Sequence, residues 1–318
     1  MYLVGIDLGG TNVAVGVVNE DNKIVGTASL ATNSPRPAEE VADTMAEAVR
    51  LAVEDAGISL DQVSGIGVGI PGSVSEEGII LFAPNMGFQN VPMKALLEAR
   101  LGKPTYLGND ANCAALGEQK AGCGNGVPNF IAVTLGTGVG GGIILNGQLL
   151  TGINGAAGEI GHMVVEPDGI PCQCGRKGCF EKYASATGLI AQTKEALKKD
   201  TSKTSLMWQV LKDGDPENTN GITSFKAARQ GDPLALEVVD NYITYLATGV
   251  TNLINIFQPN MVCIGGGISK EGEFLLNPLR EKVAAERYTR GGGLQTEIVA
   301  ATLGNDAGII GAALLATL

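Results

Sequence analysis

Apolar and polar positions alternate in short blocks from the start of the chain. Tyr2 to Leu8 and Asn12 to Val18 are β-type apolar runs parted by the turn Asp7-Leu8-Gly9-Gly10-Thr11, and a polar turn over Asn19 to Lys23 leads into a third run, Ile24 to Leu30. Runs of this length with Gly and Asn at their ends predict a three-stranded antiparallel meander. A helix follows with Pro37 in its first turn, Val41, Met45, Val49 and Ala52 at helical spacing, and Gly57 closing it. Ile66 to Ile70 reads as a buried strand ending at Pro71-Gly72, and Thr105 to Leu107 is an apolar run before a helical pattern over Ala111 to Lys120.

The same design recurs later. Phe130 to Leu135 runs into a Gly-Thr-Gly-Val-Gly-Gly-Gly segment, then Ile143 to Leu145, an Asn146-Gly147 turn and a strand at Gln148 to Leu150. Leu8, Gly9 and Asn19 match Leu135, Gly136 and Asn146 at one offset of 127 residues (8 to 135, 19 to 146). That register predicts an internal duplication. Beyond it come a cysteine-bearing loop and a mostly helical region, with a long amphipathic helix over Pro233 to Phe257 that Asp232 caps and Pro259 follows. A strand at Met261 to Ile264 delivers Gly265, Gly266 and Gly267, and a final strand and helix run over Glu297 to Ala301 and Asp306 to Ala316.

A length of 318 residues exceeds the roughly 250 to 300 that one core serves, so two domains with a cleft between them are expected. No apolar run approaches the ~18 residues of a membrane span. The opening MYLVGIDLGG enters a strand at once, and a cytoplasmic protein is expected. Net charge is −11 with no basic cluster, which makes nucleic acid a poor partner. The 46 glycines are about twice the usual share of roughly 7% and gather after apolar runs, where bare backbone can approach phosphate.

Asp7 at a strand end followed by Gly9, Gly10 and Thr11 lets hairpin amides reach phosphate oxygens while the carboxylate faces the accompanying Mg²⁺. No Gly-Lys-Ser/Thr follows, so this is not a Walker loop; the plain alternative is a hairpin whose glycines only satisfy turn geometry. Gly136, Thr137 and Gly138 repeat the arrangement without the acid, and Gly265-Gly266-Gly267 allows a flat base or ribose against backbone. Asp110 follows an apolar run and precedes a helix. It reads either as a helix N-cap or as a carboxylate placed to take the proton of an attacking hydroxyl.

The stretch from Gly158 to Glu181 sets His162, the only histidine, with Cys172, Cys174 and Cys179, four soft ligands suited to a closed tetrahedral zinc site. Folding that loop would bring Glu159, His162 and Glu181 together as acceptors for several hydroxyl groups. A purely structural zinc knuckle is the alternative, and a disulfide framework would need an oxidising compartment. Cys113, Cys123 and Cys263 read as ordinary buried or half-buried thiols.

Seven segments in order, DLGGT at Asp7 to Thr11, GNDAN at Gly108 to Asn112, LGTGVGGG at Leu135 to Gly142, GEIGH at Gly158 to His162, CQCGRKGCFE at Cys172 to Glu181, IGGGIS at Ile264 to Ser269 and LGNDAGIIGA at Leu303 to Ala312, resemble the ROK family of bacterial sugar kinases, and within it the ATP-dependent glucokinases. The resemblance spans essentially the whole chain. It implies an α/β, two-domain actin/hexokinase/Hsp70-type fold of ribonuclease-H-like topology: a small domain over residues 1–109 rejoined by the helix at 304–318, and a large domain over 110–303 carrying the zinc loop. It implies Asp110 as general base, and Asn85, Asn109, Asp110, Glu159, His162 and Glu181 as sugar contacts. Gly9, Gly10, Thr11, Thr137 and Gly138 would bind phosphates, with Asp7 near the metal and Gly265 and Gly266 at the adenosine end. ATP, Mg²⁺ and a structural Zn²⁺ are the implied cofactors, glucose the implied sugar, and a homo-oligomer, dimer or tetramer, the implied assembly. Glucokinases of this type often read Asn-Leu-Gly-Trp where this chain has Asn85-Met86-Gly87-Phe88, which leaves a kinase for N-acetylmannosamine, N-acetylglucosamine, fructose or allose as an alternative. A non-catalytic sugar-sensing protein on the same fold is another.

Overall fold

The computed structural model describes residues 2–318. Strands β1 (Tyr2–Leu8), β2 (Asn12–Val18) and β3 (Ile24–Ala31) form the expected antiparallel meander. Helix α1 (Ala38–Asp55) follows, with Val41, Met45, Val49 and Ala52 fully buried, and then β4 (Val63–Ile70). Each large side chain so buried stabilises the fold by about 1.5–3 kcal/mol.

Three short strands not foreseen from the apolar pattern, β5 (Ser73–Val74), β6 (Ile80–Ala83) and β7 (Phe88–Val91), pair as a small sheet of their own. At two to four residues they are too brief for alternation to announce them. Helix α2 (Met93–Leu101), strand β8 (Thr105–Asn109) and helix α3 (Asp110–Ala121) complete the first run of elements. The sheet order is β3-β2-β1-β4-β8, with β1, β4 and β8 parallel.

The second run opens with β9 (Phe130–Leu135), β10 (Val139–Leu145) and β11 (Gln148–Leu149). β2 and β10 differ by 127 residues at both ends (12 to 139, 18 to 145), the predicted offset. β10 starts four residues before the expected Ile143 because Gly140, Gly141 and Gly142 are strand, not loop. A β-carbon on Gly142 would collide with Ala115 of α3, so the bare backbone lets that helix pack close.

The helical region comprises α4 (Glu181–Ala184), α5 (Ala186–Lys199), α6 (Met207–Val210), α7 (Thr223–Ala228) and α8 (Pro233–Phe257). Asp232 caps α8 by accepting from the Ala235 N–H at 2.8 Å. The chain ends with β12 (Met261–Gly266), α9 (Glu273–Glu286), β13 (Glu297–Ala300) and α10 (Asp306–Leu314). The second sheet reads β11-β10-β9-β12-β13, position for position the order of the first, as a duplication requires.

The chain divides into two compact units, one of Met1–Ala132, Gly141–Gly158 and Thr302–Leu318, the other of Val133–Gly140 and Glu159–Ala301. In the first, α10 lies on the sheet so closely that β-carbons on Gly5 and Gly67 would overlap the carbonyls of Ile309 and Ala312. Glu118, 2% exposed, holds the returning segment: its carboxylate accepts from the N–H groups of Thr302 (2.9 Å) and Leu303 (2.7 Å), from the Thr302 hydroxyl (3.1 Å) and from the Cys123 N–H (3.1 Å). No helix among the described residues is long and apolar enough to cross a membrane.

Candidate active site

In the first unit the parallel strands β1, β4 and β8 end together. Asp7 is in register with Gly69, and Gly69 with Gly108, so Asp7 and the end of β8 lie two strand spacings apart, about 10 Å. Ligand sites of open α/β sheets form at such carboxyl ends. Burial pushes the Asp7 carboxyl above the usual carboxylate range. Gly9, Gly10 and Thr11, expected to bind phosphate, follow. The Gly9 N–H donates to the Asn12 carbonyl at 2.9 Å, and buried Thr32 fixes the loop by donating its hydroxyl to the Gly9 carbonyl (2.7 Å) and its N–H to the Thr11 carbonyl (2.8 Å). Nothing in the sequence marks Thr32 for this role. Asn85 lies in a short 3₁₀ turn, exposed, with its carbonyl 4.0 Å from the position a β-carbon on Gly10 would take.

The N-cap of α3 is Asn109, not Asp110. The Asn109 side-chain oxygen accepts from the N–H groups of Ala111 (2.9 Å) and Asn112 (3.2 Å), and its amide donates to the Gly72 carbonyl (3.2 Å). Asp110 is therefore the first helical residue, half-buried, with an oxygen accepting from the Ala111 N–H at 2.8 Å. A carboxylate at a helix start is favoured by the local dipole. The Cys113 thiol, one turn on, is pushed well up by burial and then by the charges of Asp110 and Asp7.

In the second unit Gly136, Thr137 and Gly138 form the turn between β9 and β10, closed by the Gly136 N–H to the Gly138 carbonyl at 3.0 Å. Glu181 closes over this turn: a β-carbon on Gly138 would stand 2.7 Å from a Glu181 carboxylate oxygen. Gly265 is buried at the end of β12, and Gly266, exposed with φ of 85°, takes a hydrogen bond from the Ser269 hydroxyl at 2.8 Å.

The cysteine loop folds as its spacing predicts. One ligand atom from each of His162, Cys172, Cys174 and Cys179 lies within 4.8 Å of every other. The Cys172 Sγ is 3.7 Å from the His162 Nδ1, and the Cys174 and Cys179 sulfurs are 3.6 Å apart. Burial pushes the Cys172 thiol up to about 12 and that of Cys179 upward, while the Arg176 N–H lowers that of exposed Cys174. A dipositive ion would hold all three as thiolates, and three sulfurs with one imidazole suit zinc. Glu181 lies 3.9 Å from the His162 Nδ1 and accepts from the Cys172 thiol at 3.1 Å, and Glu159 lies 4.0 Å from the His162 Nε2. Glu159, His162 and Glu181 thus gather as the sequence predicts. Cys113 and Cys263 are buried and Cys123 half-buried.

The ROK family pattern matches residues 3–318. The glucokinase of Thermotoga maritima is 44% identical over 316 residues, covering 98% of this chain and 96% of that protein. The structure of a ROK family glucokinase from Streptomyces griseus in complex with glucose and AMPPNP superposes with a TM-score of 0.83 at 38% identity, over 100% of this chain and 99% of that one. The xylose repressor of Caldicellulosiruptor bescii is 31% identical over 285 residues, spanning 88% of this chain and 69% of the repressor. The actin/hexokinase/Hsp70-type architecture implied by the seven segments is the architecture of these kinases. Two like-ordered sheets, the paired glycine turns and a match over nearly every residue make this chain a member of the ROK family.

Proposed function

We propose that the chain is an ATP-dependent glucokinase that transfers the terminal phosphoryl group of ATP to the 6-hydroxyl of glucose. The observation that carries this reading is the position of Asp110, fixed as the first residue of α3 by the Asn109 cap, at the same sheet end as Asp7 and the glycine loop. The T. maritima and S. griseus glucokinases support the choice of sugar and donor.

Asp110 accepts the proton of the 6-hydroxyl as that oxygen attacks. A carboxylate is a weak base, but phosphoryl transfer has a loose transition state, and positioning supplies most of the acceleration. Glu159, His162 and Glu181 orient sugar hydroxyls, with Asn85 and Asn109 as further contacts. Amides of Gly9, Gly10, Thr11, Thr137 and Gly138 hold phosphate oxygens, and Gly265 and Gly266 lie at the adenosine end. Asp7 is the carboxylate that would hold Mg²⁺, and that ion, when bound, offsets phosphate charge. His162, Cys172, Cys174 and Cys179 would hold a structural zinc that fixes the sugar-side loop. The ROK resemblance further supports a cytoplasmic homo-oligomer working at the entry of glucose into carbohydrate metabolism. It also supports a small domain over 1–109 with 304–318 and a large one over 110–303.

An assay of sugar-phosphate formation tests the reading, with glucose, N-acetylmannosamine, N-acetylglucosamine, fructose and allose crossed with ATP, ADP and polyphosphate as donors. Glucose with ATP is expected to give the highest kcat/KM. A higher value for another hexose moves the substrate; no sugar-dependent turnover with any donor overturns the enzyme reading.

A further inference from the structure

A cavity of about 1040 Å³ opens in the first unit along the outer edge of β8, walled by the β5–β6 turn, the start of α2 and the segment from Gly147 to Gly155. Asn109 and Asn112 line it, whereas Asp7, Asn85 and Asp110 do not. Ligand pockets run to roughly 300–1,000 Å³, so the space suits more than a monosaccharide.

The walls are brought together deliberately. Gly155, at a φ of 72°, meets the Val74 carbonyl so closely that any β-carbon there would collide with it. Lys94 runs its stem over Gly78 and holds its ammonium 5.8 Å from the centroid of the half-exposed Tyr106 ring.

Two features indicate the chemistry of an occupant. Asn112 is 3% exposed, and its side-chain oxygen has no hydrogen-bond partner, a costly condition for a buried acceptor. Asn112 is one of the residues that line the cavity, and exchanging the two ends of its amide needs only rotation about a soft terminal torsion. The ionisable side chains of the lining are Glu76, Glu77 and Lys94 beside the Tyr106 phenol, with negative charge in excess, which repels phosphorylated ligands. Acceptor carboxylates and amides, an aromatic ring, and apolar faces from Leu149 and Ile153 match a ligand rich in hydroxyl donors with C–H faces.

We propose that this cavity is a second ligand site, specific for a neutral oligosaccharide of hexose units. One of its hydroxyls donates to the Asn112 oxygen and others to Glu76 and Glu77, while a ring face lies on Tyr106. The proposal does not depend on which sugar the kinase phosphorylates.

Saturation-transfer NMR of the full chain with maltose and cellobiose as probes tests it. Transfer to at least one disaccharide is expected. Leu149→Trp, which narrows the cavity at its β11 wall, weakens it with glucose KM and kcat unchanged. Tyr106→Ala, at an exposed position that does not threaten the fold, weakens disaccharide binding about ten-fold, the loss of a contact of roughly 1.4 kcal/mol. No transfer to either probe, leaving Asn112 served by an ordered water only, overturns the proposal. So does transfer that both variants leave undiminished, which would put the disaccharide elsewhere.

Discussion

The His162 Nε2 lies 4.0 Å from a carboxylate oxygen of Glu159, while the same ring turns its Nδ1 to the sulfur of Cys172 at 3.7 Å. One imidazole therefore stands between the four-ligand cluster and the acids proposed to hold the sugar. A metal on Nδ1 fixes the proton on Nε2, making that nitrogen a permanent donor. Cys174→Ser is expected to lose zinc, measured by metal analysis, and to raise the KM for glucose at least ten-fold. The KM for ATP should move little. A folded, zinc-free variant with unchanged glucose KM refutes the coupling, and circular dichroism separates it from simple unfolding.

Asp110→Asn keeps the helix start and the shape of the side chain but removes the proposed base. The expected result is a fall in kcat of about 10² to 10⁴ with glucose binding retained. A kcat within a few-fold of the parent would remove Asp110 from the role.

Asp7 carries a charge that the fold disfavours. Its carboxyl is raised by burial, so the folded state binds the proton more tightly than the unfolded chain does. Its contribution is fully present below the unfolded pKa and is lost as pH rises through the raised folded value. At neutral pH the ionised group is a cost, so Asp7→Asn is expected to raise Tm at pH 7 while depressing Mg²⁺-dependent turnover. The Tm gain should vanish in acid. A variant less stable than the parent at pH 7 contradicts this.

Glu118 satisfies four donors from inside the first unit. Glu118→Ala takes the acceptor from four donors that are only partly shielded from water, and a loss of about 1–3 kcal/mol is expected in urea unfolding. A change within about 0.5 kcal/mol would show that water replaces the carboxylate.

Much of this was legible without coordinates because it rests on local rules. The 127-residue offset survived into strands β2 and β10 because register is set by alternation and turn position. The cysteine loop closed as written because four ligands in one short segment leave few ways to meet. The roles of Asn109 and Asp110 were misassignable, since two adjacent capping residues differ only in backbone angles. Thr32 and Glu118 were invisible for another reason: their partners, Gly9 and Thr302, are fixed by tertiary packing and no spacing rule relates them.

The three-part make-up of the first unit bears on how the protein is born. Ile309 and Ala312 pack into the bare backbone of Gly5 and Gly67, so β1 and β4 wait for α10, which is translated after the whole of the second unit. The second unit, nearly all of it within Glu159–Ala301, is fully made before that. A nascent chain usually matures from its N-terminus; here the amino-terminal sheet is the part left open on the ribosome. Its uncovered face, rich in Val and Ile, is then the surface most in need of a chaperone, and loss of α10 would strand it unfinished.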